Sequence, residues 1–252
     1  MKRLARILRW PVTVLLIVLG FAGAALALHP EWVRIGAVEI NLAEDSEQHL
    51  LYQRIRASLN PQLKAYEGRY FWSVSLQDVF EVISRDKRVK RVSIRREFPS
   101  RVKIEIEPHT PVLAYLAGDG RMHPIATDAT LLPPLPPRDA PDIPLLRGES
   151  KRDDIKENQA VREAALELYA SVPDEGEFTK RNVSEIIYSK KEGFKIFITG
   201  GSAEVKLGDT DFGPKISRVK KVLSYLESQN IKGRVIDARF SKKVVVRVRN
   251  TP

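Results

Sequence analysis

The chain has 252 residues, a formal net charge of +10 and no cysteine. The lack of cysteine excludes a disulfide framework, a thiolate metal site and a cysteine nucleophile. The length beyond an apolar N-terminal segment suffices for one large domain or two ordinary domains with separate cores.

Residues 10–28 form an apolar run without any charged side chain, and four cations lie within residues 1–9. A helix of this length rises roughly 28 Å at about 1.5 Å per residue, close to the roughly 30 Å hydrocarbon core of a bilayer. Cations before the span place the tail, residues 1–9, in the cytoplasm. We expect residues 10–28 to cross the lipid bilayer once, with the rest of the chain outside the cytoplasm.

A cleaved signal peptide is the alternative, because Ala25-Leu26-Ala27 resembles a small-residue cleavage site. Two features favour an uncleaved anchor. The 19 residues of the apolar run exceed the roughly 7–15 of an ordinary signal peptide. Trp10 and Trp32 also lie where interfacial aromatic belts are expected. The following residues are exported in both cases.

The first segment after the anchor predicts a strand, two helices and two further strands. Residues 33–40 are rich in β-branched side chains, and residues 46–59 have helical spacing that Asn60-Pro61 ends. Ser75 predicts the cap of a second helix, with Asp78 at the capping-box position. The buried face of that helix is predicted to consist of Leu76, Val79, Phe80 and Ile83.

Residues 89–96 and 101–107 alternate apolar and charged side chains, which predicts two strands with one dry and one wet face. The order β-α-α-β-β favours an α+β domain in which one sheet carries both helices on one face.

Pro108 and Pro111 mark a domain boundary, beyond which the spacing predicts a mixed β domain with two helices. Residues 131–144 are rich in proline and predict a loop. The predicted elements are a hairpin (113–116 and 122–125), a helix begun by Asp153 and Asp154 (153–170), a meander (183–188, 194–198 and 203–207), a helix (214–228) and two last strands (234–240 and 243–249).

Two segments concentrate the positive charge. Residues 85–103 hold nine Lys and Arg against two acids, and residues 231–250 hold seven against one. Nucleic acid is the first partner to consider for such patches in the cytosol, but an exported domain does not meet it. The remaining interpretations are solvated strand faces, an acidic protein segment or anionic lipid headgroups.

Four segments carry the pattern of a known family. They are the strand pair RVKRVSIRREFPSRVKI (88–104), the junction EPHTPVLA (107–114), the turn and strand GGSAEVKLG (200–208) and the IDARF sequence (236–240). Residues 33–107 resemble a POTRA domain, and residues 33–249 resemble the FtsQ/DivIB family of bacterial cell division proteins. His109, where the family more often has Arg or Lys, and a last strand that ends without an aromatic residue depart from that pattern.

The resemblance implies a single-pass scaffold of the bacterial inner membrane, located at the division septum. Its N-terminus would be cytoplasmic and its C-terminus periplasmic, with a POTRA domain at residues 33–108 and an FtsQ-type β domain at residues 109–250. It would recruit FtsB/FtsL-like divisome membrane proteins. The resemblance implies no catalysis, no cofactor, no metal and no small-molecule substrate.

The family docks its partner beside the last strands by strand addition, and the sequence offers a physical reason. Residues 243–249 are β-branched and lie at the end of the chain, which is typical of an edge strand. Val244, Val246 and Val248 are expected to face the core, while Asp237 and Arg239 are expected to form a structural pair. The candidate partner-binding residues are Arg239, Phe240, Val244, Val245, Val246, Arg247 and Val248.

A second partner surface is possible on the POTRA strands, with the alternative that these cations are simply solvated. The residues concerned are Arg91, Arg95, Arg101 and Lys103.

The motifs of enzymes are missing from the sequence. None of the four histidines lies in an H-E-x-x-H frame, and Gly200-Gly201-Ser202 lacks the nucleophile-elbow pattern. A second function stays open, because POTRA domains also occur in envelope-assembly and secretion factors. That function predicts a downstream barrel or repeated POTRA units.

Overall fold

The structure is a computed structural model that describes residues 11, 13–21, 23–24, 34–43, 49–117, 119–136, 140–150, 155–176, 178–199, 203–231 and 233–248. The chain divides into two compact units, Met1–Pro108 and His109–Pro252. Each unit has its own sheet and its own buried core. The α+β class is confirmed.

Residues 13–21 are helical, and the large apolar side chains at positions 14–19 and 21 are between 49% and 76% exposed. Within the described part of the chain, no helix has both the length and the apolar character needed to span a membrane. Trp10 and residues 25–28, at the two ends of the predicted span, lie outside the described residues, as do Trp32 and the candidate cleavage site.

The first unit contains a three-stranded sheet in the order β1-β3-β2. The strands are β1 (Ala37–Leu42), β2 (Val89–Glu97) and β3 (Arg101–Pro108). β3 pairs parallel with β1 and antiparallel with β2. The predicted order of strand, helix, helix, strand and strand is confirmed.

Two helices, α1 (His49–Leu63) and α2 (Leu76–Ser84), separate β1 from β2. The predicted end of α1 at Asn60-Pro61 is wrong, because Pro61 lies inside the helix and Leu63 in the following turn is 2% exposed and held by the core. The predicted cap of α2 is confirmed, since the Ser75 hydroxyl accepts a hydrogen bond from the Asp78 N–H at 3.2 Å.

The core of the first unit lies between these helices and the sheet. Alternate residues of β3 are buried in it, as predicted, with Ile104 and Ile106 fully inaccessible to solvent. The predicted burial of Phe80 is wrong, because this residue is 43% exposed and does not belong to the buried face of α2. The buried residues of α2 are Val79 and Ile83.

The second unit contains an eight-stranded mixed sheet in the order β11-β10-β9-β8-β7-β6-β4-β5. Its strands are β4 (Pro111–Leu116), β5 (Met122–Ala126), β6 (Leu145–Gly148), β7 (Val183–Ser189), β8 (Gly193–Ile198), β9 (Ala203–Gly208), β10 (Gly233–Asp237) and β11 (Val245–Val248). The predicted hairpin β4–β5 and meander β7–β8–β9 are confirmed.

Three features of this unit differ from the sequence prediction. β6 is a strand of four residues that the prediction missed, because a run so short shows no clear period. Helix α3 (Gln159–Ser171) begins later than expected, where the Asn158 side chain accepts a hydrogen bond from the Val161 N–H. Asp153 and Asp154, the predicted cap, lie outside the described residues.

Helix α4 (Phe212–Ser228) connects β9 to β10, which lie side by side and parallel. Its buried side chains join the core of the second unit, and Ile236 of β10 is fully buried in the same core. The β9–α4–β10 connection thus fixes β10 against the sheet. β11 then returns antiparallel along the outer side of β10.

Candidate partner-binding edge

β11 is the last strand in the order of its sheet, as the sequence predicted for the end of the chain. It pairs with β10 through a register in which Val245 faces Asp237 and Val246 faces Ile236. Among the described residues no strand lies on its other side. An edge strand of this kind presents backbone N–H and C=O groups that another extended segment can pair with.

The side chains from Val244 to Arg247 alternate between two environments. Val244 and Val246 are partly buried and pack against the core, whereas Val245 is 47% exposed and Arg247 is exposed. The expected core position of Val248 is wrong, because that residue is 44% exposed. Its strand partner is Gly233, which has no side chain to cover it.

Phe240 lies in the loop between β10 and β11 and is 45% exposed. The ammonium of Lys243 lies 5.2 Å from the centre of its ring, within the range of a cation–π contact. The guanidinium of Arg218 on α4 donates to the carbonyl oxygen of Phe240 at 3.1 Å and also to that of Ser241. The loop therefore holds the aromatic ring at the surface beside the edge strand.

Arg239 forms ion pairs with two acidic side chains of its own unit. Its guanidinium donates to both oxygens of Asp237, at 3.0 and 2.7 Å, and lies 3.6 Å from Glu192. The bond from Arg239 holds the pKa of the Asp237 carboxyl below its ordinary value, and Asp237 in turn raises the pKa of Arg239. This geometry confirms the predicted structural pair, so Arg239 is a weaker candidate for partner contact.

The remaining cations of this edge are open to solvent. Lys242, Lys243 and Arg247 are exposed, and neither Lys242 nor Arg247 forms an ion pair with any residue that the structure describes. Arg249 lies outside the described residues. Like charges oppose the pairing of two copies of β11, and they favour a segment with acidic side chains.

Sequence reasoning missed three residues: one that contacts the β10–β11 loop, and two exposed side chains on α4 and just before β10. Arg218 is one of them, and its contacts join positions more than twenty residues apart that no local pattern connects. Tyr225 on α4 is 62% exposed, and Ile231, two positions before β10 begins, is 40% exposed. Tyr225 could have been found, since it falls off the apolar stripe of α4 that Ile216, Val219 and Leu226 define.

The cations of the second candidate surface, on the strands of the first unit, form ion pairs within the protein. Each of its four cations forms an ion pair with a carboxylate on the same sheet, so its charge is offset locally. The pairs are Arg91–Glu107 at 3.5 Å, Arg95–Glu105 at 3.2 Å, Arg101–Glu39 at 3.6 Å and Lys103–Glu105 at 3.1 Å.

No cluster of three or more His, Asp or Glu side chains that could bind a metal occurs among the described residues. The buried His109 lies 3.6 Å from Asp128, at the start of the second unit. The candidate functional site is the edge strand β11 with its exposed cations and the neighbouring Phe240.

Comparison with known proteins agrees with the two units. Residues 114–239, half of the chain, match the C-terminal part of cell division protein FtsQ/DivIB, and residues 46–109 match the FtsQ-type POTRA domain. Cell division protein FtsQ of Geotalea daltonii is 27% identical over 184 residues, which cover 72% of this chain and 66% of that protein.

Cell division protein FtsQ of a Geobacter species, strain M21, is 29% identical over 183 residues, which cover 71% of this chain and 66% of that protein. The chain thus spans just under two thirds of the length of these two relatives. The resemblance inferred from the four sequence segments is confirmed, and the chain belongs to the FtsQ/DivIB family of cell division proteins.

Proposed function

We propose that this cell division protein is a single-pass inner-membrane scaffold of the divisome. Residues 10–28 anchor it, residues 1–9 remain in the cytoplasm, and a POTRA domain (33–108) and a β domain (109–250) lie in the periplasm. It recruits FtsB/FtsL-like membrane proteins at the division septum. The observation that carries the proposal is the free, cationic edge of β11.

The proposed docking mode is strand addition. The exposed side chains of Val245 and Val248 offer apolar contacts to an added strand, and Phe240 offers an aromatic anchor at the start of the strand. Aromatic residues that become fully buried in a complex dominate the energies of many interfaces. Arg247 and Lys242 attract acidic side chains of the incoming segment and speed its encounter.

The anchor has support from the described N-terminal residues. The described part of this helix leaves seven large apolar side chains 49–76% exposed. Burial of this apolar surface in lipid would be favourable by a free energy of roughly 25 cal/mol per Å². Confinement to the membrane would also raise the effective concentration of β11 toward membrane-bound partners.

Depletion of the protein in its own cells tests the proposed function. We expect filaments without septa, restored by the wild-type gene and not by a variant with Phe240→Ala and Arg247→Glu. The variant must accumulate to the wild-type level and retain its circular dichroism spectrum. Normal septation together with loss of outer-membrane proteins would instead indicate an envelope-assembly factor and would overturn the proposal.

A further inference from the structure

One end of the first unit gathers exposed aromatic rings and arginines that the partner-binding edge does not use. The N–H of Ile35 donates to the Arg69 carbonyl at 2.9 Å, and that of Gly36 donates to the Ser100 carbonyl at 2.8 Å. These bonds bring the 34–36 segment, the 66–75 loop and the β2–β3 turn together. We call this region the entry end, because the chain enters the first unit there. It is defined by Arg34, Arg69, Tyr70, Trp72, Arg96 and Phe98.

Three large aromatic side chains of the entry end face solvent. Phe98 is 78% exposed, Trp72 is 70% exposed and Tyr70 is 56% exposed. Phe71 between them is 2% exposed and fixes the loop to the core, with its ring 4.9 Å from that of Trp72. The exposure of Trp72 is therefore a feature of an anchored loop.

Arginines stand directly beside these rings. The Arg34 guanidinium lies 5.1 Å from the centre of the Tyr70 ring, and that of Arg96 lies 6.0 Å from the Trp72 ring. Arg96 also donates to the Val74 carbonyl at 2.6 Å, which holds it at the base of the loop. Residues 34–36, 66–75 and 96–98 together contain three arginines and two glutamates. The entry end is thus aromatic and carries net positive charge.

The length of the chain before Arg34 limits what this end can face. Residues 29–33 separate the proposed anchor, residues 10–28, from Arg34. At about 3.3–3.6 Å per residue of fully extended chain, this connection can reach at most roughly 20 Å beyond the hydrocarbon boundary. The headgroup layer occupies about 5–7 Å of that distance. If the chain is anchored as proposed above, the entry end stays close to the outer surface of the bilayer.

We propose that the entry end docks on the bilayer through anionic phospholipid headgroups. Trp and Tyr favour the membrane–water interface, where the ring is partly dehydrated and the polar atom remains wet. Basic side chains at an anionic surface each strengthen binding about fivefold. The interaction rests on the proposed anchor and fixes the first unit with Trp72 in the headgroup layer. The opposite end of β2, near Lys87, is about 30 Å away along the strand.

Fluorescence of the full chain in vesicles tests this proposal. The chain has three tryptophans, so Trp10→Phe with Trp32→Phe leaves Trp72 as the only emitter. We expect nitroxide-labelled headgroups to quench Trp72 in vesicles that contain phosphatidylglycerol, and to quench it much less in pure phosphatidylcholine. Arg34→Gln with Arg69→Gln should lower the ratio of docked to undocked protein about 30-fold.

A matched control moves the emitter to the far end of the sheet. A chain that combines Trp10→Phe, Trp32→Phe and Trp72→Phe with Lys87→Trp should show no quenching, because the exposed Lys87 lies before the start of β2. Equal quenching at both positions, or equal quenching in both lipids, would overturn the proposal. Flotation of each variant with the vesicles reports the anchor separately. A chain that floats with Trp72 unquenched contradicts only the docking, whereas a chain that does not float contradicts the anchor as well.

Discussion

Arg218 on α4 donates a hydrogen bond to the carbonyl oxygen of Phe240, at 3.1 Å. The bond joins the helix that precedes β10 to the loop that follows it. Phe240 itself is held by its backbone, while the residue remains 45% exposed. The contact therefore sets the position of an aromatic side chain at the edge without covering it.

Arg218→Ala should loosen this loop. We expect the amides of residues 240–244 to exchange with solvent about tenfold faster, because a charge-assisted hydrogen bond contributes roughly 1.5–3 kcal/mol. Affinity for the periplasmic segment of a cognate FtsB-type protein should fall by a smaller factor. Lys221→Ala, on the same helix and exposed, is the control. Unchanged exchange in the Arg218 variant would show that the loop is held by other contacts.

Phe240→Ala should weaken partner binding by at least about tenfold, since truncation of an interface anchor often costs 2 kcal/mol or more. The fold should persist, because nearly half of the surface of Phe240 is already in contact with water. Titration calorimetry measures the affinity, and circular dichroism checks the fold. Wild-type affinity in a folded variant would remove Phe240 from the site.

Arg247→Glu should weaken binding and reduce its dependence on salt, because exposed charges act mainly on the rate of encounter. Arg181→Glu makes the same change of charge on an exposed residue of the 3₁₀ turn before β7 and serves as the matched control. The association rate at low and high salt is the measurement. An equal effect of both substitutions would mean that net charge alone, and not the β11 edge, attracts the partner.

Gly193→Ala should destabilise the second unit far more than Gly120→Ala. Both glycines have positive φ, +72° and +78°, which costs about 1–2 kcal/mol for a residue with a side chain. A Cβ on Gly193 would also lie 2.6 Å from Gly208 Cα, whereas a Cβ on Gly120 meets open space. Thermal unfolding of the two variants separates the cost of positive φ, which both share, from the cost of the steric clash at Gly193. Equal losses of stability in the two variants would contradict the tight approach of β8 and β9.

The Asp237–Arg239 pair predicts a pH dependence. The folded pKa of Asp237 is lowered by the bond from Arg239, so the stability it supplies is complete above the unfolded pKa near 4 and is lost as pH falls below it. The difference in unfolding free energy between wild type and Asp237→Asn should therefore be constant above about pH 5 and shrink toward pH 3. A constant difference across that range would contradict the pair.

The features that could be predicted from the sequence are those set by local chemistry. The Ser75 cap, the alternation in β3 and the edge position of a C-terminal strand each depend on a few adjacent residues. Contacts between segments that are distant in the sequence could not be predicted from it. Helix α1 continues past Pro61 because Leu63 is buried in the core. Val248 is exposed beside its strand partner Gly233. Neither the burial of Leu63 nor the pairing of Val248 with Gly233 can be read from the adjacent sequence.

Proline substitution tests strand addition through the backbone. Adjacent residues of a strand direct their N–H groups to opposite sides, so Val245 and Val246 cannot both donate to β10. We expect one of Val245→Pro and Val246→Pro to abolish partner binding with little loss of stability, and the other to lower the unfolding temperature because it removes a ladder bond. Full binding by both variants would exclude pairing at this edge.

Hydrogen exchange of individual β11 amides, followed by NMR with and without the partner segment, tests the central claim most directly. If an extended segment pairs with the free edge, the outward N–H groups of Val245–Val248 should become protected at alternate positions, by tenfold or more. Saturating partner that leaves all four amides unchanged, with protection confined to another surface, would contradict the account.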